Sequence, residues 1–179
     1  DAEAAADAEI QHGHFTREWF DANVHLEDFT LRSDSGCDLH LAVWANELTP
    51  FSDGRKRVAV LVHGYNYCLL GQIKYASIFH ALGFDCVLYD HCNHGLSGRS
   101  VTTMGLYEAA DLAKVCAWAR ERYGNDALLG TLGESMGAAT VMLHARGDHR
   151  LAFAVEDCGF SNFYELLAHV LPNRFRLPV

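Results

Sequence analysis

The feature that most constrains the fold of this chain is an alternation of short, uninterrupted apolar segments with longer amphipathic ones. Residues 58–62 read VAVLV, and such a run is typical of a strand buried on both faces of a sheet. Similar buried strands are predicted at 84–89, 127–132 and 151–155. Helices are predicted at 72–82, 104–123, 135–145 and 163–171, with Pro172 ending the last of them. This order indicates a parallel sheet with helices on both faces.

A different pattern precedes the first buried strand. Residues 24–32 and 39–45 alternate apolar and polar side chains and are separated by a Ser-Asp-Ser-Gly turn, which predicts a β-hairpin. The chain is therefore expected to have an α/β fold, with a doubly wound, mostly parallel sheet and an antiparallel N-terminal hairpin. In such sheets ligands bind at the carboxyl ends of the strands, so residues that follow the buried strands are the candidates for chemistry.

The composition and charge exclude several classes of protein. Half of the 179 residues are hydrophobic and 21% are charged, which suits one globular domain and not a disordered chain. The formal net charge is −9 and the one basic cluster, 55–57, lies in a turn, so no nucleic-acid partner is expected. No apolar run reaches the roughly 18 residues of a membrane span. The chain begins at Asp1, which leaves room for an upstream signal or membrane anchor.

Six cysteines are scattered through the predicted strands and helices without a C-x-x-C pair. This distribution favours buried free thiols in a reducing compartment over a disulfide framework. The protein is accordingly expected to be cytoplasmic or membrane-anchored. Cys92 lies close to His91 and His94, so a metal site is the alternative interpretation there, although no fourth ligand is evident.

The strongest chemical signal is at 133–137, which read GESMG between a predicted buried strand and a predicted helix. In this setting G-x-S-x-G is typical of a nucleophile elbow, in which Ser135 lies on a sharp, strained turn. Gly133 and Gly137 supply positions without a Cβ where the chain passes close to itself. The helix directs its free N–H groups toward the serine, which favours a developing oxyanion. The alternative is that Ser135 merely caps the helix.

The loop after the strand at 58–62 reads His-Gly-Tyr. An oxyanion hole takes one N–H from the residue after the nucleophile, which is Met136, and one from this loop, where Tyr65 is the candidate donor. Gly64 allows the backbone to approach closely. Gly64, Tyr65 and Glu134 are the predicted substrate contacts.

Two further histidine-bearing segments lie near this predicted site. His63 opens the loop and is interpreted as holding its geometry, with a general base as the alternative. Residues 90–98 read DHCNHGLSG and are expected to form a hydrogen-bonded loop under the site. A direct catalytic role for His94 is the alternative there.

Together these segments resemble the α/β-hydrolase superfamily, and most closely its bacterial serine-esterase and lysophospholipase-like branch. The resemblance extends from about residue 24 to 171. Its motifs are GESMGAAT at 133–140, MGLYEAADL at 104–112, EDCGFS at 156–161, and 90–98, which is similar to D-x-R-G-H-G-x-S. The resemblance implies a serine hydrolase that cleaves carboxylic esters through an acyl-enzyme on Ser135, without a metal or organic cofactor.

The resemblance also implies a catalytic triad in the chain order serine, acid, histidine. Asp157, at a strand's carboxyl end, is the candidate acid, and the alternative is a carboxylate that supports its loop. His144 and His149 follow Ser135 by nine or more positions, roughly 13 Å along a helix. His169 lies roughly 10 Å from the start of its own predicted helix. The triad histidine is therefore expected to be missing from this chain.

The organisation and function expected of the chain follow from these points. The expected parts are an N-terminal lead-in at 1–23, the N-terminal two-thirds of a hydrolase core at 24–171 and the start of a cap at 172–179.

The parent protein is expected to be a carboxylesterase or lipase-like enzyme acting on a small-molecule ester, with this chain alone inactive. The alternative is a non-catalytic or degenerate hydrolase-fold binding protein, or a fragment completed by another chain. Tyr65, Tyr67 and Leu69 are expected to line the near wall of the substrate pocket.

Overall fold

A computed structural model describes residues 2–47 and 51–176, which form a mixed sheet flanked by helices. The strands are β1 (Glu27–Arg32), β2 (Asp38–Trp44), β3 (Arg57–Val62), β4 (Asp85–Tyr89), β5 (Leu128–Glu134) and β6 (Phe153–Asp157). The helices are α1 (Ala2–Gln11), α2 (Arg17–Asn23), α3 (Ile73–Ala81), α4 (Leu106–Tyr123), α5 (Met136–Ala145) and α6 (Phe163–Phe175). A 3₁₀ turn at Leu69–Gln72 precedes α3.

The sheet has the strand order β1-β2-β4-β3-β5-β6. β1 pairs with β2 and β2 with β4 in antiparallel fashion, whereas β4, β3, β5 and β6 run parallel to one another. The expected α/β fold with an antiparallel N-terminal hairpin is therefore confirmed. Because β3 lies between β4 and β5, the carboxyl ends of these three strands meet at one edge of the sheet. The His-Gly-Tyr loop, the segment at 90–98 and the motif at 133–137 lie at these ends.

The core lies on both faces of this sheet, and β3 shows why its sequence is continuously apolar. Val58, Val60 and Val62 pack on the face covered by α4, while Ala59 and Leu61 pack on the face covered by α3. All five are fully buried. Burial of a valine or leucine side chain stabilises a fold by about 1.5–3 kcal/mol, so this strand is fixed firmly beneath the loop that follows it.

The N-terminal lead-in is helical. α2 begins after Thr16, whose Oγ1 accepts a 3.1 Å hydrogen bond from the N–H of Trp19, as an N-cap should. The aromatic rings of Phe15, Trp19 and Phe20 pack together and against the α3 face of the core. None of the described helices is long and apolar enough to cross a bilayer.

The last two elements differ from the sequence-based expectation. The strand expected at 151–155 begins at Phe153 and is mostly exposed, because β6 is the outer strand of the described sheet; the expectation of a strand buried on both faces is wrong. α6 continues through Pro172 to Phe175. A proline removes one backbone donor, and at the exposed end of a helix this loss is tolerated. Residues 177–179 lie outside the described part of the chain.

The expectation that all cysteines are free is also wrong. Cys37 and Cys92 form a disulfide with a Cα–Cα distance of 6.1 Å, while Cys68, Cys86, Cys116 and Cys158 are free. The two bonded residues are 55 positions apart, but Cys37 precedes β2 and Cys92 follows its antiparallel neighbour β4, so strand pairing brings them together. The bond also removes the Cys92 sulfur as a metal ligand, which contradicts the alternative of a metal site there.

Candidate active site

Ser135 lies on the turn between β5 and α5 in a strained backbone conformation. Its φ is +56° and its ψ −113°, a combination that L-residues rarely adopt and that costs about 1–3 kcal/mol. The serine occupies the N-cap position of α5, yet its side chain makes no capping hydrogen bond. The hydroxyl has no hydrogen-bond partner within residues 2–47 and 51–176. The Ser135 hydroxyl is therefore not used to cap the helix.

The two glycines of the motif lie where backbone segments touch. A Cβ on Gly133 would be 2.7 Å from the backbone nitrogen of Ala138 and would overlap the carbonyl of Gly137. A Cβ on Gly137 would be 2.7 Å from the carbonyl oxygen of His63 and would overlap that of Val62. The elbow is thus packed directly against the end of β3, where no side chain could be accommodated.

This packing brings the predicted oxyanion-hole loop beside the serine. A Cβ on Gly64 would lie 3.3 Å from the Cβ of Ser135, so the two backbones are in close contact. Met136 is the first residue of α5 and is buried, whereas Tyr65 is half exposed. Neither the Met136 nor the Tyr65 N–H donates a hydrogen bond within the described residues. The Met136 N–H is free because it lies at a helix N-terminus.

Gly64, Tyr65, Glu134 and Ser135 line one pocket of about 280 Å³. The carboxylate of Glu134 is held at its edge by two 3.0 Å hydrogen bonds, from the Nε2 of Gln72 and the Nζ of Lys74. Of the residues expected to line the near wall, Tyr67 is on this pocket. Leu69 is buried in the α3 side of the core instead.

Asp157 lies at the end of β6, directly opposite Glu134 in the strand register. Its carbonyl oxygen accepts a 2.9 Å hydrogen bond from the N–H of Ser135. Its exposed carboxylate accepts a hydrogen bond from the hydroxyl of Tyr75, whose pKa is raised by burial and by this contact. The structure thus brings the backbone of Asp157 to the elbow and its side chain to α3.

His63 is fully buried beneath the site, and both of its ring nitrogens are engaged. Nδ1 donates a 2.7 Å hydrogen bond to the carbonyl of Gly64, and Nε2 accepts a 3.0 Å hydrogen bond from the N–H of His91. Burial, together with the neighbouring His91, holds the pKa of His63 well below its usual value. His63 is therefore neutral in a single tautomer, which agrees with its interpretation as a residue that holds loop geometry.

His91 and His94 extend this buried group. The His91 Nε2 donates to the carbonyl of His63 at 3.2 Å, and burial lowers the pKa of His91 to about 3. The His94 Nδ1 donates to the carbonyl of Cys92 at 2.9 Å, and its ring packs edge-on against Tyr65. Both rings pack against the loop at 63–65, which is the predicted oxyanion-hole loop.

Asp90 organises the loop at 90–98 around its buried carboxylate. One oxygen accepts a 2.8 Å hydrogen bond from the N–H of Leu69. The other accepts two 2.9 Å hydrogen bonds, from the N–H of Leu96 and from the Nδ1 of His40. Gly95 is in contact with this carboxylate and has no room for a Cβ. The segment is a hydrogen-bonded loop under the site, as the sequence indicates.

Residues 1–23 were expected to form only a lead-in, yet α1 forms a wall of the serine pocket. Ala8, Glu9 and His12 line it together with Gly64 and Ser135. The signal available in the sequence was the Glu-x-x-His spacing, which places both side chains on one helix face. Sequence periodicity could not place that face at the serine pocket, because Ser135 on the same pocket lies more than 120 positions away in the chain.

Comparisons with known proteins agree with this geometry. Residues 58–176 match the family model described as the alpha/beta hydrolase fold. Over 173 residues the chain is 35% identical to YqkD, an uncharacterized protein of Bacillus subtilis strain 168, covering 95% of this chain and 54% of that protein. The chain thus spans about half the length of the curated relative it matches.

Solved structures show the same fold at lower identity. The esterase Pf2001 of Pyrococcus furiosus has a TM-score of 0.73 and 20% identity, with 89% of this chain and 59% of that chain covered. A thermostable carboxyl esterase of Bacillus coagulans has a TM-score of 0.66 and 21% identity, with 83% and 49% covered. Because the family model matches from β3 through the elbow to the end of α6, the chain belongs to the α/β hydrolase fold family.

Proposed function

We propose that the protein is a serine hydrolase that cleaves carboxylic esters through an acyl-enzyme on Ser135. The observation that carries this proposal is the strained Ser135 backbone, with a hydroxyl that caps nothing and lines a pocket. Strain of this kind is maintained at functional sites, where the surrounding packing over-determines it. The esterase neighbours in fold support the same class of reaction.

In the proposed reaction the Ser135 Oγ attacks the ester carbonyl and its proton passes to a general base. The carbonyl oxygen becomes an oxyanion, and the N–H groups of Tyr65 and Met136 donate to it. The positive end of the α5 dipole adds to this stabilisation. Collapse of the tetrahedral intermediate releases the alcohol and leaves the acyl group on Ser135, from which water releases the acid. One such donor is typically worth 10²–10³ in kcat.

The proposed substrate is a small ester. The pocket of about 280 Å³ lies just below the range of about 300–1,000 Å³ that is typical of ligand sites. Tyr65 and Tyr67 supply apolar ring surface on one side of it, and Gly64 permits the substrate carbonyl to approach the backbone donors. Glu134 contributes a carboxylate at the rim, already paired with Lys74.

The triad partners of Ser135 are part of the proposal. We propose Asp157 as the acid, because it ends the strand next to the elbow; its alternative role is support of the loop through Tyr75. We propose that the histidine base lies outside this chain, in a protein of the length of its relative. His63 and His91 are neutral, buried and hydrogen-bonded, and His144 lies at the other end of α5 from Ser135.

A second candidate function is favoured by the unpartnered Ser135 hydroxyl. Without a base in hydrogen-bond contact a serine is a weak nucleophile. The described chain could then serve as a non-catalytic binding protein, or as a part completed by another polypeptide. This candidate predicts ester or acyl-group binding without turnover.

A fluorophosphonate probe, which labels activated serines covalently, tests the choice between these functions. The longer protein is expected to be labelled at Ser135, as located by peptide mass spectrometry, and its Ser135→Ala variant is expected to remain unlabelled. An unlabelled but folded longer protein would favour the binding function.

A further inference from the structure

The end of α1 carries a group of side chains that the proposed ester chemistry does not use. Glu9, His12 and His14 each direct a potential ligand atom to one place, with these atoms all within 4.8 Å of one another. We propose that these three residues bind a single divalent transition metal ion of the zinc type. The proposal does not depend on the proposed hydrolase function.

The local fold brings the three residues together. Glu9 and His12 are one helical turn apart, so their side chains share a face at the end of α1. Gly13, with a φ of +81°, then turns the chain back, and the N–H of His14 donates to the carbonyl of Glu9 at 3.1 Å. The His14 Nδ1 comes to 2.5 Å from the Glu9 Oε2.

The carboxylate of Glu9 is already oriented by groups behind it. It is 2% exposed, and its Oε1 accepts a hydrogen bond from the Tyr67 hydroxyl and is 3.4 Å from the Lys74 Nζ. This leaves Oε2 facing the two imidazoles. Hydrogen bonds to the second oxygen of a ligating carboxylate are the usual outer support of a metal site.

The ligand chemistry selects the class of ion. Two imidazoles and one carboxylate are a zinc ligand set, completed by water in the fourth position, whereas Mg²⁺ and Ca²⁺ prefer oxygen ligands throughout. In the proposed site the ion takes the place of the contact between the His14 Nδ1 and the Glu9 Oε2. The exposed rings of His12 and His14, whose centroids are 6.0 Å apart, can rotate toward the ion without disturbing the core.

The proposed metal site lies beside the pocket of Ser135, so a bound ion would affect the wall of that pocket. Glu9 and His12 line the same pocket as Ser135, so a bound ion lies at the rim of that pocket. It would join the end of α1 to the turn that follows and hold this wall in place.

The test is a titration of the metal-free protein with Zn²⁺, followed by competition with a chromophoric chelator. The protein carries Cys158→Ser, because this exposed free thiol could otherwise bind zinc. We expect one Zn²⁺ per chain, at least tenfold weaker binding in either His12→Ala or His14→Ala, and no binding in the double variant. His149→Ala, which removes an exposed histidine beyond the end of α5, is the matched control and should bind like the parent.

Circular dichroism should show that both histidine variants are folded, since these side chains are exposed. Mg²⁺ at the same concentration should not compete. The proposal would be overturned if the parent protein bound no Zn²⁺, or if the folded double variant kept the parent's affinity and stoichiometry.

Discussion

The backbone N–H of Ser135 donates a 2.9 Å hydrogen bond to the carbonyl oxygen of Asp157. This bond attaches the strained turn to the end of β6, while Gly133 and Gly137 hold it against the end of β3. Three adjacent parallel strands therefore fix the elbow. A residue at a φ of +56° can persist only where such neighbours over-determine its conformation.

Replacing either motif glycine should disrupt this packing. Gly133→Ala and Gly137→Ala each place a methyl group against backbone atoms that cannot move independently, so we expect the free energy of unfolding to fall by about 3 kcal/mol. Urea denaturation measures this. Gly147→Ala is the control, because its Cβ would meet only the His144 carbonyl oxygen at 3.8 Å, and its effect should stay within about 0.5 kcal/mol. Equal effects at all three positions would contradict the packing argument.

Relief of the backbone strain at Ser135 should raise the free energy of unfolding. Ser135→Gly relieves an unfavourable φ worth about 1–3 kcal/mol, offset by the backbone entropy of glycine of about 0.5–1 kcal/mol. We expect Ser135→Gly to be about 1 kcal/mol more stable than Ser135→Ala, which keeps the Cβ. Ser161 does not have a positive φ, so Ser161→Gly should instead be less stable than Ser161→Ala. The same order at both positions would argue against strain at the elbow.

The hydroxyl of Ser135 should not act on esters in the 179-residue chain. It has no base within hydrogen-bond reach among the described residues, so we expect p-nitrophenyl acetate to be hydrolysed no faster than by Ser135→Ala. The measurement is the release of p-nitrophenolate at matched protein concentrations. A clear serine-dependent rate would show that a base is present in this chain, with His12, which lines the pocket, the first residue to replace.

The Cys37–Cys92 bond should contribute to stability by restricting the unfolded chain. A disulfide that closes a loop of this length typically contributes about 2–4 kcal/mol, and we expect reduction to lower the free energy of unfolding by that amount. The Cys37→Ser/Cys92→Ser double variant is the control and should be insensitive to reductant. A thiol assay in denaturant should find four free thiols, and six would contradict the pairing.

His40 should make stability depend on pH. Its hydrogen bond to the Asp90 carboxylate, together with one to Asp28, raises the pKa of His40 above 6.5 although burial opposes this. The folded state therefore holds the proton more tightly than the unfolded state. The resulting stabilisation is fully present below pH 6.5 and is lost as pH rises through the raised pKa.

Comparison with His40→Asn, which cannot take up a proton, isolates this effect. The difference in unfolding free energy between the two proteins should be larger at acidic pH and should shrink as the pH rises through the raised pKa. An NMR titration of the His40 ring provides a direct measurement. A pKa at or below 6.5 in the folded protein would contradict the prediction.

The sequence by itself determined the features that depend on neighbouring residues. The apolar run at 58–62 indicated a strand buried on both faces, and the alternation with helices indicated the parallel sheet. GESMG between a strand and a helix predicted a sharp, strained turn at Ser135, because such a turn needs glycines two residues on either side of the serine. These signals are local, since periodicity and steric crowding act over a few residues.

The tertiary structure alone decided which distant residues meet. It paired Cys37 with Cys92 across two strands, placed β6 at the exposed edge of the described sheet, and brought Glu9 of α1 and the following His12 to the pocket of Ser135. It also placed His63 in a buried position, hydrogen-bonded to Gly64 and His91, where its pKa is held well below the usual value. Periodicity shows which face of an element is apolar, but which element covers that face depends on long-range packing of the whole chain.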